Sequence, residues 1–131
     1  MYIKLGLFIG GKWIYEAKKG EDVLNPFDES VLGWLPHATE DNLNDAVKSA
    51  EKGFDEWRNT DPETRGRIIL KAADILSKRI SAVSEVMTLE QGKPLAESAG
   101  EINQSIAILK FNGTNAKLIK DDLVADRENG L

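Results

Sequence analysis

Thr88-Leu89-Glu90-Gln91-Gly92-Lys93-Pro94-Leu95-Ala96-Glu97-Ser98-Ala99-Gly100-Glu101 contains a helix end, a tight loop and a helix start within fourteen residues, and it fixes the reading of its surroundings. Gly92 can adopt the left-handed backbone that closes a helix, and Pro94 suits the first turn of the next one. Upstream, Val83, Val86, Met87 and Leu89 recur at helical spacing, with Ser81 as the expected N-cap. Downstream, Ala99, Ile102, Ile106, Leu109 and Ala116 form one apolar face of a helix expected over about residues 94–119. Gly100 and Gly113 interrupt that helix at ~1 kcal/mol each relative to alanine, which points to close backbone contacts there.

The same period extends toward the N-terminus. Asp61-Pro62 is a capping side chain followed by proline at the first helical position, and Ile68, Ile69, Ala72, Ala73, Leu76 and Ile80 mark the buried stripe of a helix reaching Arg79. Before it, Thr39 is placed to cap a helix over about 40–57, with Glu40 and Asp41 at the positive end of its dipole and Leu43, Ala46, Val47, Ala50, Phe54 and Trp57 on one face. Ahead of Ala38 the period drops to two. Gly10-Gly11 predicts a two-residue hairpin turn within 8–15, and Val23-Leu24 and Val31–Leu35 flank a turn at Asn25-Pro26-Phe27-Asp28-Glu29-Ser30. The expected class is α+β for the isolated chain: residues 1–38 strands and turns, 39–119 about four helices, and 120–131 a polar tail, forming one segment over 1–131.

Composition narrows the function. The chain has 131 residues, 41% hydrophobic and 30% charged, which fits one globular segment. A net charge of -5 with interspersed signs supplies no extended basic surface, so nucleic acid is not an expected partner. Met1–Gly10 carries a lysine and a central glycine and resembles neither a secretion signal nor a membrane span, so no membrane association is expected and the cytoplasm is the default compartment. The chain contains no cysteine, which excludes disulfides, thiolate metal sites and thiol catalysis by these residues.

Several local strings have ordinary explanations. Gly6 to Lys12 fits the spacing of a phosphate-binding loop, but Trp13 replaces the magnesium-binding hydroxyl and a hairpin replaces the strand-to-helix context. His37 is the only histidine and reads as a loop residue. Asn103-Gln104-Ser105 and Asn112-Gly113-Thr114 match the glycosylation acceptor but fall in an expected helix. Glu90, Glu97 and Glu101 read as capping or paired carboxylates, and Trp13, Trp34 and Trp57 as core residues.

Four stretches, in order, resemble the beginning of an aldehyde dehydrogenase: Leu7-Phe8-Ile9-Gly10-Gly11-Lys12-Trp13, Asn25-Pro26-Phe27-Asp28-Glu29-Ser30-Val31-Leu32-Gly33, Phe54-Asp55-Glu56-Trp57, and Glu90-Gln91-Gly92-Lys93-Pro94-Leu95-Ala96-Glu97. The resemblance implies the N-terminal part of that α/β fold, which wraps the cofactor-binding domain. Members oxidise an aldehyde by thiolate attack, pass hydride to NAD or NADP, and hydrolyse the thioester with a glutamate base. The resemblance places all of these groups outside this chain, which implies no catalytic residue, no bound cofactor and no activity for it alone. The wording around Gly92 is similar to succinate-semialdehyde dehydrogenases and related short-chain enzymes. The implied partners are the rest of the fold or its subunits, and the uncovered faces imply self-association. The alternative is a non-catalytic helical module that binds dehydrogenase subunits or another protein.

The resemblance also implies one site. Several relatives hold a structural sodium or potassium ion with a carbonyl before the Asn-Pro turn and an acidic side chain after the Gly-Lys-Pro loop. These positions correspond to Leu24 and Glu101, and oxygen donors suit a hard cation. Here a glutamate stands where relatives often have aspartate; the ordinary reading of Glu101 is a solvated or helix-paired carboxylate.

Overall fold

The computed structural model describes residues 2–118. Four short strands precede four helices: β1 (Leu7–Ile9), β2 (Lys12–Ile14), β3 (Gly20–Leu24), β4 (Val31–Pro36), α1 (Glu40–Arg58), α2 (Pro62–Ser77), α3 (Ile80–Gln91) and α4 (Leu95–Asn115), followed by a 3-10 turn at Ala116–Leu118. The expected α+β order is present. The polar tail expected over 120–131 lies outside the described residues.

β1 and β2 form an antiparallel hairpin with Ile9 opposite Lys12 across a two-residue turn. Gly10 and Gly11 take φ angles of 58° and 79°, the paired positive values that a twisted hairpin turn requires. On this hairpin Phe8 and Trp13 lie 5.0 Å apart between ring centroids, and Trp13 stacks on Tyr15 at 5.9 Å. β3 and β4 form a second antiparallel pair with an irregularity at Val23/Leu24. Their turn closes through Asn25 N–H to Ser30 C=O at 2.9 Å, and Asp28 accepts from both the backbone and the hydroxyl of Ser30. Those Ser30 bonds hold the Asp28 carboxyl below its usual range.

The helix starts follow local chemistry. Thr39 and Asn42 exchange side-chain bonds with each other's backbone N–H in a reciprocal cap of α1, and Asp61 accepts from Thr64 N–H at 2.8 Å ahead of Pro62 in α2. Hydrogen bonds from the Thr64 side chain and backbone hold Asp61 below the usual carboxylate range. The Ser81 expectation needs correction. α3 already starts at Ile80, and the Ser81 hydroxyl donates to Glu85 one turn on.

The described residues group into two compact units. The first contains residues 2–59 and Ile80–Ile102, and the second Thr60–Arg79 and residues 103–118. In the first unit Ser84, Ser98 and Ile102 are buried; Ser98 shares a hydrogen bond with Thr88 at 2.8 Å, while the Ser84 hydroxyl has no partner among the described residues. In the second, Ala73, Ile106 and Ala116 are buried, and α2 crosses the end of α4 glycine to glycine. A Cβ on Gly66 would stand 2.5 Å from the Gly113 carbonyl oxygen, and one on Gly113 would stand 2.8 Å from Leu70 Cγ. The close contact expected at Gly113 is therefore present. At Gly100 a Cβ would meet no described atom within 4 Å, so the expectation fails there.

Two further expectations are overturned. Trp13, Trp34 and Trp57 are 57%, 42% and 41% exposed, so none is a core residue among the described residues. α1 buries no residue at all, and Leu43, Val47 and Phe54 of its apolar face are exposed. The period identified a face that favours burial, but the described residues of this chain do not cover it. On α2, Ala73 is buried and Ile69 half-buried, while Ile68 and Ala72 are exposed.

Candidate functional site

The α3–α4 corner is a loop of the first unit closed by backbone and side-chain hydrogen bonds. α3 ends as Gly92 N–H donates to Thr88 C=O at 2.9 Å with Gly92 at φ 69°, and Glu97 and Ser98 N–H both turn back to Pro94 C=O to open α4. A side chain at Gly92 would be doubly unfavourable, because the left-handed backbone opposes it and its Cβ would lie 3.0 Å from Pro26 Cγ. The Asn-Pro turn and the Gly-Lys-Pro loop, 66 positions apart by number (92 minus 26), are thus in contact.

Three polar links surround this contact. The Tyr2 hydroxyl donates to Glu90, while the Tyr2 ring lies over Gly33, where a Cβ would stand 3.0 Å from Cε1. Partial burial, followed by the hydrogen bond to Glu90 and its negative charge, pushes the Tyr2 phenol from 10.0 up to about 12. Lys93 Nζ donates to Glu101 Oε1 at 2.6 Å, with the lysine side chain 20% exposed and the glutamate 55%. Thr88 and Ser98 supply the third link across the corner.

The expected cation donors both fall in the first unit. Leu24 ends β3 directly before Asn25, and Glu101 lies on α4 with its carboxylate engaged by Lys93. Among the described residues no group of three or more His, Cys, Asp or Glu side chains is arranged to hold a metal ion. Gly6 to Lys12 lies on the β1–β2 hairpin, a geometry unlike a phosphate-binding loop. His37 donates its backbone N–H to Lys19 C=O and places Nε2 3.6 Å from Glu21. Both glycosylation strings are helical, and Asn112 donates to Ile108 C=O at 2.9 Å. Sequence reasoning missed Tyr2, whose partner is 88 residues away, and the Lys93–Glu101 pair, whose eight-residue spacing spans a loop and has no helical signature. Among the described residues no helix is long and apolar enough to cross a membrane.

Comparison with known proteins agrees with this layout. The chain is similar to malonate-semialdehyde dehydrogenase 2 of Geobacillus kaustophilus, 31% identical over 95% of this chain and 26% of the relative. It is 34% identical to the α-ketoglutarate semialdehyde dehydrogenase of Haloferax volcanii over 83% of this chain and 23% of that protein. Its fold matches the crystal structure of an NAD-dependent aldehyde dehydrogenase from Sinorhizobium meliloti with a TM-score of 0.84 at 26% identity, over 92% of this chain and 25% of that one. The strands and helices correspond to the N-terminal part of that fold. The chain spans about a quarter of the length of the relatives it matches. With residues 13–130 matched by the model of the aldehyde dehydrogenase family, an oxidoreductase family that uses NAD(P), the chain belongs to that family.

Proposed function

We propose that this chain is a scaffold segment of an NAD(P)-dependent aldehyde dehydrogenase that oxidises a short-chain semialdehyde, of which succinate semialdehyde is one, and that it is chemically silent alone. The observation that carries this reading is family membership combined with the absence of cysteine, since thiolate attack on the aldehyde carbon needs a sulfur these residues do not supply. The semialdehyde names of two relatives support the substrate class. Residues 1–131 then act as one segment of the dehydrogenase domain, working in the cytoplasm, with partners in the remainder of the fold or its subunits. The bare face of α1 supports self-association of the isolated chain.

The direct test incubates the purified 131-residue chain with succinate and malonate semialdehydes and NAD or NADP, following formation of reduced nicotinamide. No turnover is expected, and turnover would overturn the reading. Coding sequence downstream of Leu131 that carries a Pro-Trp-Asn motif and a cysteine would place the missing groups in the same polypeptide.

The monovalent-cation site at Leu24 C=O and Glu101 remains part of the proposal. Contact between Pro26 and Gly92 supports it, and Lys93 is its internal competitor, because its ammonium already neutralises Glu101. Melting in potassium against a bulky organic cation tests it; equal midpoints would remove the site.

A further inference from the structure

The loop joining β2 to β3 carries Lys18 and Lys19, and it is pinned to the end of β4 by the 2.9 Å bond from His37 N–H to Lys19 C=O. Lys18, Lys19, His37, Ala38 and Thr39 line a cleft of about 400 Å³, within the ~300–1,000 Å³ range of small-molecule sites. Neither lysine makes an ion pair among the described residues, whereas Lys52, Lys78 and Lys93 all do. Two lysines without an ion-pair partner among the described residues thus line one concavity in a chain whose net charge is -5.

The neighbouring groups define the chemistry. Glu21 lies 3.6 Å from His37 Nε2, and Glu40 and Asp41 occupy the first turn of α1. The hydroxyl and N–H of Thr39 are taken by Asn42, so Thr39 supplies wall rather than a free donor. Lys18 and Lys19, consecutive in sequence on the cleft wall with Ala38 as its apolar part, supply the positive charge that a compact dianion requires. Lysine binds phosphate as a point charge without demanding fixed fork geometry.

We propose that the cleft between the β2–β3 loop and the β4–α1 junction binds a phosphate dianion through Lys18 and Lys19, either free phosphate or the head of a small phosphate monoester. This site is separate from the α3–α4 corner and does not depend on the dehydrogenase reading.

Phosphorus NMR of inorganic phosphate and of methyl phosphate, titrated with the 131-residue chain, tests it. Saturable line broadening is expected, and the anion that broadens at lower protein concentration identifies the source. Lys18→Gln/Lys19→Gln should weaken binding about tenfold, as expected for lost charge-assisted bonds. Lys71→Gln/Lys110→Gln, the same charge change elsewhere, should leave it unchanged. Where the first double variant loses its helical circular dichroism, Ala38→Asp replaces it by putting a carboxylate into the cleft, and should abolish binding. Unsaturable broadening, or equal weakening by the Lys71/Lys110 control, would overturn the site.

Discussion

α1 and α4 carry apolar stripes of similar periodicity and meet opposite fates. α4 buries Ile102 and Ile106 to 6% exposure, while every residue of α1 stays at least partly exposed and Phe54 is 62% exposed. The difference is one of partners. α4 has neighbours supplied by this chain, the Thr88 hydroxyl of α3 beside its start and Gly66 of α2 near its end, whereas the apolar stripe of α1 stays uncovered among the described residues. An amphipathic pattern states which face favours burial; it says nothing about whether the covering surface lies in the same polypeptide.

The sharpest test of the contrast is Ile106→Ala. Truncating this buried side chain should cost about 3 kcal/mol through lost transfer energy and a residual cavity, lowering the urea midpoint of the second unit. A loss below half that would mean the α4 face is no better packed than α1. Gly66→Ala follows, with an expected cost of about 2 kcal/mol from overpacking, because the added Cβ would lie 2.5 Å from the Gly113 carbonyl oxygen and 3.1 Å from the Ala116 Cβ. Gly100→Ala is its control, where open space predicts a small gain in helix stability.

Local signals made much of this fold legible. Thr39, Asp61-Pro62, Gly10-Gly11 and Gly92 act within a few residues of themselves, and each terminates or turns the chain where its chemistry predicts. Gly66 escaped notice because a helical glycine advertises only weakness until its neighbour is known. Tyr2–Glu90 depends on contact across 88 positions, and Trp13, Trp34 and Trp57 looked like core because their own sequence cannot reveal that the described residues leave them exposed. Of the candidate site, the loop geometry was readable and the Lys93–Glu101 pair was not, since it is made only when the corner folds.

Ser84 offers a smaller effect of opposite sign. Its hydroxyl is buried without a partner among the described residues, so Ser84→Ala should stabilise the α3–α4 corner by about 1 kcal/mol by removing an unsatisfied polar group. A destabilisation of that size would show that a water satisfies the hydroxyl. The Tyr2 latch adds a pH dependence. A phenol raised from 10.0 to about 12 by folding contributes stability that is complete below pH 10.0 and lost as the pH rises toward 12. Tyr2→Phe should flatten that alkaline decline in thermal melts, and an unchanged profile would assign the decline to other groups.

The smallest stability effect is the most informative about the bare helix. Leu43, Val47 and Phe54 are 60%, 51% and 62% exposed, so replacing all three with glutamine removes little buried apolar area. Surface changes of this kind lie within about 0.5 kcal/mol each, and glutamine has good helix propensity, so the unfolding midpoint of dilute protein should barely move. Association should respond strongly, because the same three side chains form the exposed apolar stripe proposed to drive self-association. Sedimentation of the wild-type chain should show mass rising with concentration, and the triple variant should stay at the monomer mass with reduced binding of a hydrophobic dye. Loss of stability in dilute solution would instead mean that α1 is covered within its own chain, which would erase the contrast with α4.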